Sequence, residues 1–153
     1  MANTYRKVNL QIIFAVKNRK ALLQESWRSD VFRYIAGIIN RRDHYSLAVN
    51  GVENHIHIFV DFNCRELIED FVREIKKSSN AYINDRNLCR YKFEWQSGYA
   101  VFSHGYQEKD MIIDYVRNQE EHHRNKTFRQ EYLAFLKSYE IEFKNEYVFD
   151  FLE

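Results

Sequence analysis

Residues 52–62 read VENHIHIFVDF, a run that alternates like a strand and carries two histidines one residue apart. Successive strand side chains point to opposite faces, so Asn54, Ile56, Ile58, Val60 and Phe62 share one face. Glu53, His55, His57, Phe59 and Asp61 share the other. The aliphatic face suits a helical layer, and both imidazoles then project together from the opposite side. Their Cα atoms stand about 6.5–7 Å apart, close enough to converge on one cation. An isolated pair of this kind is more often two ordinary sheet histidines. Two ligands are also an incomplete set, because divalent ions take a third protein group or substrate oxygens.

Working outward, residues 5–16 alternate with Val8, Leu10, Ile12, Phe14 and Val16 on one face, the pattern of a half-buried strand. Residues 26–42 switch to helical spacing through Trp27, Val31, Tyr34, Ile35 and Ile38. Tyr45, Leu47 and Val49 alternate again, and Asn50-Gly51 is a hairpin signal leading into the histidine strand. Asn63 with Glu66 reads as a capping box opening a helix through Phe71, Val72 and Ile75. FEW and YAVFS around Gly98 make a fourth strand. The order β-α-β-β-α-β predicts a ferredoxin-like antiparallel sheet in an α/β (α+β) fold. Two additional C-terminal helices follow, one over 107–123 and one capped by Thr127 and Gln130. The acidic, aromatic segment from Glu140 onward has no assigned place.

Bulk composition narrows the function class. A chain of 153 residues without proline and with four glycines is read as one domain, 1–153, with no linker. Tyr and Phe number 11 and 12, so core material is plentiful. No apolar run approaches the roughly 20 residues of a membrane span, and the N-terminus lacks a signal-like apolar region, which gives a cytoplasmic expectation. Cys64 and Cys89 read as two reduced thiols. The net charge is only +1, yet residues 1–100 carry 16 Lys/Arg against 11 Asp/Glu and residues 101–153 carry 7 against 11. That asymmetry permits a local polyanion site on a nearly neutral protein.

A second group of functional residues lies in MIIDYVRNQEEHH, residues 111–123. On a helix, Tyr115 and Gln119 sit one above the other at the edge of the stripe formed by Ile112 and Val116. A tyrosine hydroxyl is a nucleophile once its ionisation or its electrophile is assisted. A glutamine carbonyl is a hard, neutral ligand suited to magnesium or manganese.

Together, NHIHIF, WQSGYAVFS and DYVRNQEEHH resemble the single-tyrosine HUH transposases of the IS200/IS605 family, and the likeness runs from IIFAVKNR at 12–19 through the NQEEHH helix. The resemblance implies an enzyme that cleaves and rejoins single-stranded DNA through a 5′-phosphotyrosine. It makes Tyr115 the nucleophile, and His55, His57 and Gln119 the ligands of Mg2+ or Mn2+. It also implies DNA with hairpin ends, and a homodimer in which the tyrosine helix of one subunit completes the other's site, consistent with a helix that follows the sheet and lacks an evident packing partner. Two positions depart from the family pattern: Glu53-Asn54 replaces a Pro-Asp pair, and His104-Gly105-Tyr106 replaces a serine-rich turn. Lys17, Arg19, Lys20, Arg41, Arg42, Lys76 and Lys77 are candidates for phosphate pairing. Tyr91, Phe93, Trp95 and Tyr99 are candidates for base stacking. Two other readings compete: a metal-dependent phosphoesterase using water, and a non-catalytic RNA-binding module on the same sheet.

Overall fold

The computed structural model describes residues 3–17 and 21–144. In chain order its elements are β1 (Asn9–Ala15), α1 (Glu25–Arg41), β2 (Tyr45–Val52), β3 (His55–Asp61), α2 (Ile68–Asp85), β4 (Ala100–His104), α3 (Lys109–Arg117), α4 (Gln119–His122) and α5 (Phe128–Ser138), with a 3-10 turn at Tyr106–Glu108. The four strands pair antiparallel in the order β2-β3-β1-β4. The β-α-β-β-α-β order and the sheet are those the sequence predicts.

One face of the sheet meets α1 and α2. Leu10, Ile12, Phe14 and Val16 join Ile56, Ile58, Val60 and Phe62 against Trp27, Val31, Ile35, Phe71 and Ile75. Each such side chain, once removed from water, contributes roughly 1.5–3 kcal/mol. The second face is covered as well. Phe59 and Ala48 pack on Ile112 and Val116 of α3, while Ile13, Ala15, Ala100 and Phe102 pack on Phe128 and Leu136 of α5. All seven residues of β1 are therefore buried, Asn9 and Gln11 included. The half-buried strand expected from the alternation is corrected: residues after the sheet close its second side.

Other local expectations shift in the same way. Asn50 and Gly51 lie inside β2, and the turn falls at Glu53-Asn54, since Val52 pairs with His55. A Cβ at Gly51 would stand 2.3 Å from the His55 carbonyl oxygen, so the glycine serves strand contact instead of a turn. The Asn63–Glu66 capping box does not form. Asn63 Oδ1 accepts from Arg65 N–H, and Glu66 turns away to Arg42 and His44. The helix over 107–123 is interrupted at Asn118, between α3 and α4. Thr127 and Gln130 do form a reciprocal cap on α5, at 3.1 and 2.9 Å. Phe93 and Trp95 are core residues, which removes them as base-stacking surfaces. Both cysteines are free. No helix among the described residues is long and apolar enough to cross a membrane.

Candidate active site

β3 delivers His55 and His57 to the second face with ring centroids 5.2 Å apart, both fully buried. His55 Nδ1 lies 2.8 Å from Asn54 Oδ1. In the tautomer that donates Nδ1–H to Asn54, the lone pair on Nε2 faces Gln119 Oε1 at 3.2 Å and Glu131 Oε1 at 3.2 Å. Burial drives the His55 pKa down to about 4, so this imidazole is neutral near pH 7 and available as a ligand. His57 Nδ1 meets Gln11 Nε2 at 3.0 Å, and Gln11 Oε1 meets His104 Nε2 at 2.8 Å. His104, one of the departures from the family pattern, thus orients His57 through Gln11.

Glu131 is the residue that sequence reasoning missed. It projects from α5, is 2% exposed, and its Oε1 lies 3.2 Å from His57 Nε2 and 3.1 Å from His123 Nε2 as well as beside His55. Its Oε2 accepts the Tyr115 hydroxyl hydrogen. Burial pushes this carboxyl up, but His57, His123 and His55 outweigh it and hold Glu131 well below the usual carboxylate range. A signal existed in the sequence: the Thr127 cap fixes the phase of α5, and Glu131 then interrupts the stripe of Phe128, Tyr132 and Phe135.

The ligand atoms of His55, His57 and Glu131 all lie within 4.8 Å of one another. Ions of this class bind nitrogen and oxygen at about 2.0–2.2 Å, which sets neighbouring ligand atoms about 3 Å apart. The 3.2 Å separations, together with an imidazole lone pair facing two oxygens, fit a divalent ion on His55, His57 and Glu131 with Gln119 adjoining.

Tyr115 enters from α3. Its ring stacks on His122 at 4.5 Å and meets His57 and Phe135 edge-on at 5.8 and 6.0 Å. Burial and then the Glu131 charge push its hydroxyl pKa up, so it is protonated at rest. Asn50 Nδ2 donates to the carbonyls of Val116 and Arg117 at 3.1 and 2.9 Å and ties the end of α3 to β2. Gln119 is fully buried and also donates to the Tyr115 carbonyl at 3.2 Å. The four residues named from sequence are therefore brought together within one chain. Within the chain α3 packs on its own sheet, and the Tyr115 ring meets His57.

The named cations separate. Lys17, Lys76 and Lys77 line an open groove of about 390 Å³ with Arg73 and Asn80. Lys76 Nζ donates to the carbonyls of Gln96 and Gly98 at 2.9 and 2.6 Å, and burial lowers its pKa to about 8. Arg42 is committed to an ion pair with Glu66, whose other oxygen lies 2.7 Å from His44 Nε2. Arg41 is exposed at the end of α1. Arg19 and Lys20 lie outside the described residues.

Residues 4–119 match the family described as Transposase IS200 like. The chain belongs to the IS200-like transposase family. No curated protein matches the sequence. Among solved structures, the transposase resembles a Deinococcus radiodurans R1 protein described as a transposase, at 18% identity and a TM-score of 0.62, over 78% of this chain and 95% of that one. It also resembles a REP-associated tyrosine transposase bound to a REP hairpin, at 16% identity and a TM-score of 0.58, over 80% and 73% of the two chains. These likenesses concern the fold. The family match takes in His55, His57, Tyr115 and Gln119 and stops short of Glu131, so α5 is an element of this transposase outside the matched region.

Proposed function

We propose that this transposase cleaves and rejoins single-stranded DNA through a 5′-phosphotyrosine on Tyr115, with a divalent ion, Mg2+ or Mn2+, held by His55, His57 and Glu131 and adjoined by Gln119. One observation carries the reading: the carboxylate of Glu131 faces both histidines with one oxygen and the Tyr115 hydroxyl with the other. When bound, the ion supplies charge to a nonbridging phosphate oxygen and aligns the scissile bond. Tyr115 Oη attacks phosphorus as its proton passes to Glu131 Oε2, the bond to the 3′ oxygen breaks, and that oxygen takes a proton from water to leave as the 3′ hydroxyl. Glu131 Oε2 already accepts the hydrogen that Tyr115 must give up. Attack by a 3′ hydroxyl on the phosphotyrosine reverses the step and reseals a strand, so no outside energy source enters.

DNA with hairpin ends is the substrate class, in keeping with the REP hairpin bound by the structural neighbour. The transposase acts as a single catalytic domain in the cytoplasm, and a homodimer remains the expected assembly. Each site is complete within one subunit, since sharing would require α3 to leave the Phe59–Ile112–Val116 cluster. Mixing Tyr115→Phe with His55→Ala subunits tests this: restored cleavage in heterodimers means exchanged helices, and no restoration means sites built in cis.

The function itself is tested with labelled single strands tiling the DNA around this chain's gene, incubated with protein and manganese and run on a denaturing gel. A slow protein–DNA adduct that disappears in Tyr115→Phe is expected. Cleavage by Tyr115→Phe would point to the water-using phosphoesterase, and binding without cleavage or metal to the RNA-binding module.

A further inference from the structure

Most of the surroundings of the Tyr115 side chain are closed. His122 covers one ring face, His57 and Phe135 flank its edges, and Glu131 holds the hydroxyl. Beside the ring lies a cleft of about 360 Å³ between α3 and α5, with Tyr115 and Glu131 among its lining residues. That volume lies in the roughly 300–1,000 Å³ range of pockets that take small molecules. It is on the scale of a single nucleotide.

The walls are of the kind that hold a flat ring. Met111 is 60% exposed and Tyr139 39% exposed, two large apolar side chains left facing solvent beside the nucleophile. Phe135 lies deeper and is stacked on Phe102, which fixes its plane. The exposed Lys126 adds positive charge to the cleft, matching the phosphate that must approach Tyr115. Glu108 adds a carboxylate, one oxygen of which caps the Gly105 N–H at 3.2 Å. A carboxylate reads a base through an exocyclic amino group, which cytosine, adenine and guanine present and thymine lacks.

Building on the proposed function, we infer that the α3–α5 cleft seats one unpaired nucleobase adjoining the scissile phosphate, and that Glu108 makes the site disfavour thymine, the one base without an exocyclic amino group. Apolar and aromatic walls stack any base, and the acidic group supplies the discrimination. The family match ends before α5, so this half of the cleft belongs to the region outside it.

The test uses single-stranded pools in which hairpins from the DNA around this chain's gene adjoin a randomised segment, incubated with the full chain and manganese. Covalent adducts are isolated and the bases flanking the phosphotyrosine are read by sequencing. The wild type is expected to show at least a threefold depletion of thymine at one flanking position, and Glu108→Ala to flatten it. Ala134→Phe, at an exposed position in the cleft wall, is expected to cut adduct yield at least tenfold while manganese affinity by calorimetry and the melting temperature stay at wild-type values. Wild-type adducts with no base preference, or full yield from a stably folded Ala134→Phe, overturn the cleft assignment and leave the phosphotyrosine mechanism standing. Absence of any adduct from the wild type overturns the mechanism, and the cleft assignment with it.

Discussion

Glu131 Oε1 stands 3.2 Å from His57 Nε2, although the two residues lie 74 positions apart and Glu131 falls beyond the family-matched region. Through that contact α5 reaches the candidate site. Glu131→Ala is expected to weaken manganese binding at least tenfold, the scale on which loss of a metal-supporting group acts. Calorimetry on the wild type and the variant checks it; equal affinities would leave Glu131 as a partner of Tyr115 alone.

Asn50 and Tyr115 are linked through the end of α3. Asn50→Ala removes two hydrogen bonds to the Val116 and Arg117 carbonyls, at about 0.5–1.5 kcal/mol each. Strand cleavage should fall several-fold while manganese affinity is unchanged, because the helix loosens and the histidines do not. Parallel gel and calorimetric titrations separate the two effects.

The two faces of β3 were legible because its aliphatic side alternates without interruption, whereas the β2–β3 register was not, since Asn50-Gly51 carries a turn signal yet lies inside β2. Alternation placed His55 and His57 on one face of β3, but grouping them with Tyr115 and Gln119 rested on the family resemblance, since no local pattern ties these residues together and the helix is interrupted at Asn118. Burial of Gln11 and Asn9 was not legible, since their polarity points to solvent and only the later helices cover them. The Asn63 and Glu66 pair misled for a related reason. Its capping pattern is local, but Arg42 and His44, distant in sequence, offered Glu66 a charge-assisted partnership that capping could not match. Glu131 escaped because a carboxylate on a helix normally marks the solvent side, and its three histidine partners arrive from β3 and from the segment after α4.

Gly51 allows no side chain. An alanine Cβ there meets the His55 carbonyl oxygen at 2.3 Å and Ile56 Cα at 2.9 Å, both backbone atoms that cannot yield without separating β2 from β3. Gly51→Ala is expected to cost about 3 kcal/mol or more and to disturb the histidine strand directly. Chemical denaturation measures it.

The Arg42–Glu66–His44 cluster predicts an acid-sensitive fold. Arg42 lowers the Glu66 pKa below its ordinary 4.5, with His44 assisting against the effect of burial. A depressed folded-state carboxyl pKa gives stability that is complete above the unfolded value and lost as pH falls through the folded one. Glu66→Gln should therefore cost about 1–3 kcal/mol at pH 7. The difference from wild type should shrink progressively below about pH 4.5. Urea unfolding at a series of pH values follows it; a difference that does not change with pH would contradict the ion-pair origin.

The central claim is that Tyr115 Oη becomes bonded to the 5′ phosphate of cleaved DNA. The direct measurement is mass spectrometry of the proteolysed adduct formed by the wild-type chain on single-stranded DNA with manganese. The account predicts a nucleotide-bearing peptide with the added mass on Tyr115, and no such peptide from Tyr115→Phe, which keeps its fold and its manganese affinity. Cleaved DNA with a free 5′ phosphate and no linked peptide, or a linkage mapped to any other residue, would contradict it.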